Sequence, residues 1–131
     1  MTKLPRFMIA AAHKSSGKTV VATGIAAALT DRSQKVAVFK KGPDYIDPMW
    51  LKLAAGRPAY NLDFNTMSEG EIRALFQDKA AGADVSLVEA NKGLFDGVAA
   101  DGSDSNAALA MLLAVPVVLV VDTKGMTRGI A

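Results

Sequence analysis

One octapeptide limits what this chain can fold into more than any other stretch. Ala12-His13-Lys14-Ser15-Ser16-Gly17-Lys18-Thr19 stands between an apolar run over 7–12 and a segment opening near Lys18, whose Val21, Ile25, Ala28 and Leu29 share one helical face. Gly-Lys-Thr at the mouth of a strand-to-helix turn is the context of a phosphate loop. Backbone N–H groups around Ser15 to Thr19 converge on an anion at the positive end of the helix, Lys18 neutralises β- and γ-phosphates, and the Thr19 hydroxyl is a Mg²⁺ ligand. The expected nucleotide-binding residues are therefore His13, Lys14, Ser15, Ser16, Gly17, Lys18 and Thr19. Ala12 stands where the usual pattern has its first glycine, so the loop entry must accept a methyl group. An ordinary strand-to-helix turn is the competing reading, and Gly, Lys and Thr falling together at that turn weigh against it.

The rest of the chain alternates in the same way. Apolar runs over 35–39, 85–90 and 116–121 have the length and composition of buried parallel strands. Helices are expected between them. Thr30, Asp31 and Ser33 end the first, and Asp47 as N-cap with Pro48 at N1 opens a second that stops at Gly56. In that helix Met49, Trp50 and Leu51 read as packing residues. Ser68 with Glu71 forms a capping box before Ile72, Leu75 and Phe76, and Ser105 caps a helix carrying Leu109, Leu112 and Leu113. Residues 127–131 look like the opening of another helix. Four strands separated by helices predict an α/β fold, a parallel sheet with helices on both faces and ligands at the strand C-terminal ends. At 131 residues the chain is one domain or part of one, and the missing later strand suggests a truncated domain.

Composition removes several classes of chemistry. There is no cysteine, hence no disulfide, thiolate metal site or thiol nucleophile, and the single histidine, His13, cannot build a triad or a multi-histidine metal centre. Fifteen basic against thirteen acidic residues leave +2, with no basic run longer than Lys40-Lys41, so neither nucleic acid nor a membrane surface is an expected partner. No apolar run has the length of a membrane span, and the N-terminus lacks a signal-type core. A cytoplasmic setting is expected.

Three further clusters carry chemistry. Phe39 to Pro48 brings Lys40, Lys41, Asp44 and Asp47 together after the second strand. Lys40 suits an anionic ligand and Asp44 a place near Mg²⁺ or an acceptor, while Asp47 reads as a helix cap. Leu87 to Gly97 starts as a buried strand and ends in an acidic loop. Glu89 at its end serves as a Walker-B-like carboxylate, because a buried acid is costly unless it is used. Asp96 orients substrate or tightens the loop as an Asx turn. Asp122 ends the last strand with the same geometry and competes with Glu89 for the magnesium role.

FKKGPDYIDP, VEANKGLFDG and PVVLVVDTKGMTRGIA, taken with AHKSSGKT, resemble the N-terminal synthetase domain of the cobyrinic acid a,c-diamide synthases and cover almost the whole chain. The resemblance implies a P-loop NTPase-like sheet similar to that of dethiobiotin synthetase. It implies amidation of tetrapyrrole or corrin carboxylates with ATP and Mg²⁺, through a carboxyl phosphate captured by ammonia. On it, Lys18, Asp44, Glu89 and Asp96 are catalytic, Thr19, Asp44 and Glu89 hold the metal, and Lys40, Tyr45 and Asp96 meet the substrate. The family draws ammonia from glutamine through a C-terminal domain with a cysteine nucleophile, so residues 1–131 are expected to be the N-terminal portion of a longer protein, with a homodimer admitted. Ala90 replaces the family's usual glycine and Asn91 and Lys92 its apolar residues, features that look more like the sirohaem-amidating relatives. Two other readings stay open. A partition-type ATPase switch has His13 against it, in the slot of that class's signature lysine, and a dethiobiotin synthetase-like enzyme gives no reason for GPDYIDP.

Overall fold

The computed structural model describes residues 4–14 and 16–130. Its elements are β1 (Arg6–Ala11), α1 (Lys18–Asp31), β2 (Val36–Lys41), α2 (Asp47–Ala55), β3 (Ala59–Leu62), α3 (Glu69–Ala80), β4 (Val85–Gly93), α4 (Asn106–Leu113), β5 (Val117–Val120) and a single 3₁₀ turn (Arg128–Ile130). All strands run parallel in one sheet of order β3-β2-β4-β1-β5. The expected α/β architecture is present. No helix among the described residues is long and apolar enough to cross a membrane.

Strand alternation divides the core into two layers. Met8, Ala10, Ala37, Phe39, Val88 and Ala90 face α3 and α4, where Ile72, Phe76 and Leu109 meet them. Ile9, Val36, Val38 and Leu87, the residues between, face α1 and α2 and pack on Ala22, Ala26 and Leu51. The chain leaves β1 toward β2 on one side and leaves β4 toward β5 on the other, although β1 and β4 are neighbours. Such a reversal opens a crevice at the carboxyl ends of those two strands.

Local signals account for most boundaries. The Ser68–Glu71 capping box is formed in both directions, Ser105 accepts from the Ala108 N–H, and Gly56 ends α2 in the left-handed region. Asp47 does not cap α2. It is that helix's first residue, and Asp44 fills the capping role instead by accepting from the Ile46 and Asp47 N–H groups at 2.8 and 3.3 Å. In the same helix Leu51 is buried as expected, whereas Met49 and Trp50 are largely exposed. Residues 128–130 form one turn rather than the start of an α-helix, and Ala131 lies outside the described residues.

The sheet has five strands, not four. The additional one, Ala-Tyr-Asn-Leu at 59–62, is a short edge strand bounded by Pro58 and Asp63, with Asn61 breaking any apolar run. It carries little of the pattern by which buried strands are read. β2 and β4 also extend two and three residues past their apolar runs, to Lys41 and Gly93. Truncating the fully buried Ile72 to alanine is expected to cost about 2–5 kcal/mol in urea unfolding, against at most about 0.5 kcal/mol for Val20→Ala on the exposed side of α1.

Candidate active site

Because side chains alternate, Lys40 continues the Val36–Val38 row of β2 and Glu89 continues from Leu87 of β4, so both lie on the α1/α2 side. The two are register partners and both are buried, Glu89 completely. The N-termini of α1 and α2 bring Lys18, Thr19 and Asp47 to the same point. Glu89 Oε1 accepts from Thr19 Oγ1 at 2.9 Å, Lys40 Nζ at 3.1 Å and Lys18 Nζ at 3.3 Å. Lys40 also donates to Asp47 Oδ2 at 2.8 Å and to the Ala90 carbonyl at 3.0 Å, and Thr19 reaches Asp47 Oδ2 at 3.4 Å. Two ammonium groups and two carboxylates thus join β2, β4 and both helix starts.

The electrostatics follow from this geometry. Burial opposes the charge on Lys40, but Glu89 and Asp47 outweigh it and hold the ammonium above the ordinary lysine range. Lys18 is pushed below that range, first by burial and then by the Lys40 charge, in spite of Glu89 and Asp47. Burial also disfavours the Asp47 carboxylate, yet Lys40 prevails and keeps its carboxyl below the usual value.

Magnesium and a nucleotide can be tested against these residues. Among the described residues Glu89 Oε2 is buried without a hydrogen-bond partner, which leaves one hard oxygen, on the carboxylate that accepts from the Thr19 hydroxyl, for a cation or its water. Among the described residues no three His, Cys, Asp or Glu converge as a metal cage. Such a donor set suits Mg²⁺, which takes few protein ligands and keeps phosphate and water for the rest. Gly17 sits at φ +83° with open space over its Cα, and a hollow of about 320 Å³ beside it is lined by His13, Lys14, Ser16, Lys18 and Thr19. Ser16 donates to the His13 carbonyl and so closes the loop on itself. Ser15, the remaining loop residue, lies outside the described residues.

Other expected site residues lie around this cluster. Asp44 uses Oδ1 on the α2 turn and keeps Oδ2 at 3.8 Å from Lys40, so the carboxylate that reaches Thr19 is Asp47. Tyr45 stands 81% exposed. Asp96 accepts from the Gly93 N–H, three residues back, at 2.9 Å, so it ties the loop to the end of β4 by a contact other than an Asx turn. Asp122 is exposed, caps the Lys124 N–H and does not take part in the Glu89 cluster.

At 53% identity over 98% of its length the chain aligns with a cobyrinate a,c-diamide synthase from Magnetococcus marinus. It aligns at 47% over 98% with a hydrogenobyrinate a,c-diamide synthase from Streptomyces coelicolor, and at 44% over 97% with the cobyrinate enzyme of Syntrophotalea carbinolica. This chain is a relative of the a,c-diamide synthases. It spans 26–28% of the length of those three relatives. No family model matches it.

Two site residues of this a,c-diamide synthase relative escaped sequence reasoning. Asp-Pro before an apolar run is a strong helix-start signal that makes Asp47 read as a cap, and only the tertiary fold shows Lys40 reaching it. Asn106, at the first position of α4, is fully buried. Its amide donates to the carbonyls of Asn91 and Gly93, the latter at 2.8 Å, and its carbonyl accepts from the Asn91 N–H at 3.2 Å. This three-point clamp holds β4's irregular end, where two steps of β1 (Ile9 to Ala11) face four of β4 (Glu89 to Gly93) and Lys92 adopts φ +47°. A lone asparagine after a cap residue carries no sequence signal for that role.

Two expectations follow. A carboxylate with a depressed folded pKa contributes stability above its ordinary value, near 3.8, and loses it as pH falls through the lower folded value. Asp47→Asn should therefore be less stable than the parent near neutral pH, with the gap narrowing below about pH 4 in denaturant titrations. Asn106→Ala should cost about 1–3 kcal/mol and speed hydrogen exchange of the amides at 91–96.

Proposed function

We propose that this chain is the ATP-binding synthetase portion of a longer amidoligase that converts carboxylate side chains of a corrin-type macrocycle, of the cobyrinate or hydrogenobyrinate kind, into amides. The observation that carries the reading is the fully buried Glu89, fixed between Lys18, Thr19 and Lys40 at the mouth of the phosphate loop, in a chain related along its length to the a,c-diamide synthases. That is the equipment of phosphoryl transfer, where positioning and charge stabilisation do most of the catalysis.

In this reading an acceptor carboxylate oxygen attacks the γ-phosphorus of ATP, the bond to the β-phosphate oxygen breaks, and ADP leaves. Ammonia then adds to the carboxyl phosphate, the carbon–oxygen bond to phosphate breaks, and the amide forms with loss of a proton from nitrogen. Lys18 balances the charge on the transferring group. Thr19 and the free oxygen of Glu89 would hold Mg²⁺, whose contribution when bound is to neutralise phosphate charge. Lys40 fixes Glu89 and Asp47 in place. With no cysteine in the chain, ammonia would be released from glutamine by another part of the longer protein, in the cytoplasm.

The test uses the full-length protein with Mg-ATP and glutamine, offering cobyrinate, hydrogenobyrinate and sirohaem in parallel and following product mass. Conversion of carboxyl to amide on a corrinate is the expected result, and conversion of sirohaem alone would move the substrate to that branch. ATP hydrolysis with no macrocycle altered would overturn the reading in favour of a switch or a biotin-pathway enzyme. Lys18→Ala should lower turnover by at least about 100-fold. Glu89→Gln should raise the Mg²⁺ concentration for half-maximal rate by about 10- to 100-fold.

A further inference from the structure

Adjacent lysines of β2 point to opposite faces of the sheet. Lys40 enters the Glu89 cluster, whereas Lys41 continues the Ala37–Phe39 row on the α3/α4 side. There it lines a cavity of about 350 Å³ between the ends of β2 and β3 and the loop after β4. Lys41 is 7% exposed, and among the described residues no carboxylate comes within salt-bridge distance of its ammonium. Its neighbours are the side-chain oxygen of Asn91 at 3.5 Å and the ring of Phe64, 5.8 Å from its centroid.

The cavity also contains three acids, five of whose six oxygens accept hydrogen bonds from the described residues. Asp63 accepts from the Asn65 N–H and the Thr66 hydroxyl, Asp96 from the Gly93 N–H, and Asp104 from the Val98 and Ala99 N–H groups. They outnumber the two lysines of the cavity, and Asp104 and Asp63 act on Lys41 through space, but among the described residues none comes within salt-bridge distance of it. The second cation is Lys92. It lines this cavity and also the hollow of the phosphate loop, and among the described residues no other borders both. Asn106 clamps the turn that carries it. A buried ammonium with no direct counter-ion costs stability, so its retention beside an open cavity indicates use.

We propose that this cavity is a carboxylate-binding subsite, with Lys41 as the buried anchor and Lys92 bridging it to the phosphate loop, and that it seats a carboxylate of the acceptor next to the transferring phosphoryl group. The assignment of the ligand to an acceptor rests on the amidoligase reading. The subsite itself rests on the cavity and its two lysines.

The test is binding of succinate, a plain dicarboxylate probe, to the full-length protein by saturation-transfer NMR, with affinity for a fluorescent ATP analogue and the unfolding temperature measured in parallel. Lys41→Met should weaken succinate at least about tenfold, leave the ATP analogue within about twofold, and raise the unfolding temperature. Lys92→Met should weaken succinate severalfold. Unchanged succinate binding in both variants, or no binding by the parent, would overturn the subsite. An equal loss of nucleotide affinity would do so too, by assigning both lysines to the nucleotide. Lysine-dependent succinate binding in a protein that amidates no macrocycle would leave the subsite standing and sink the amidation reading alone.

Discussion

Glu89 is the charge around which this structure is organised. A carboxylate with no solvent contact is tolerated only where donors replace water, and it is strongly destabilising if one partner is lost. The donors come from separate elements: Lys18 and Thr19 from the start of α1, Lys40 from β2. Meeting the requirement at one oxygen therefore fixes the start of α1, the second strand and the fourth strand relative to one another. Asp47 brings the start of α2 into the same arrangement and balances the two ammonium groups. The other oxygen of Glu89 has no hydrogen-bond partner among the described residues.

The opposite side of the sheet is held by amide geometry instead of charge. Asn106 satisfies two carbonyls and one N–H of a backbone that has left regular pairing, and α4, capped by Ser105, holds the asparagine in position. Lys92 in the left-handed region is stable only because its flanking residues are clamped. The loop that follows is tied in turn by Asp96 to the Gly93 N–H and by Asp104 to the Val98 and Ala99 N–H groups.

Much of this was legible in the chain itself. The Ser68–Glu71 capping box, the Ser105 cap and the buried runs are local patterns, each with a periodicity or a cap that names its element. β3 was not legible, because four residues with an asparagine at an edge bury too little to show a pattern. The exchange of roles between Asp44 and Asp47 was not legible either. Both are acids in a loop before a proline, and which one caps and which one pairs is decided by Lys40, a residue distant from neither in sequence but placed by the sheet. Glu89 and Asp122 look alike as strand-end acids. They differ because β4 lies inside the sheet while β5 is an exposed edge, a distinction that belongs to topology.

The alternation of Lys40 and Lys41 also bears on how the sheet assembles. A slip of one residue between β2 and β4 would turn every β2 side chain to the other face. Lys40 would then enter the layer of Phe76 and Leu109, Phe39 would press its ring among the charges at the starts of α1 and α2, and Glu89 would lose a principal counter-ion. Apolar strands such as these could otherwise slide past one another at small penalty, since valine, alanine and phenylalanine fit either layer. Two neighbouring lysines with opposite destinations raise the energy of the misaligned sheet, so the charges at the end of β2 help to set its register.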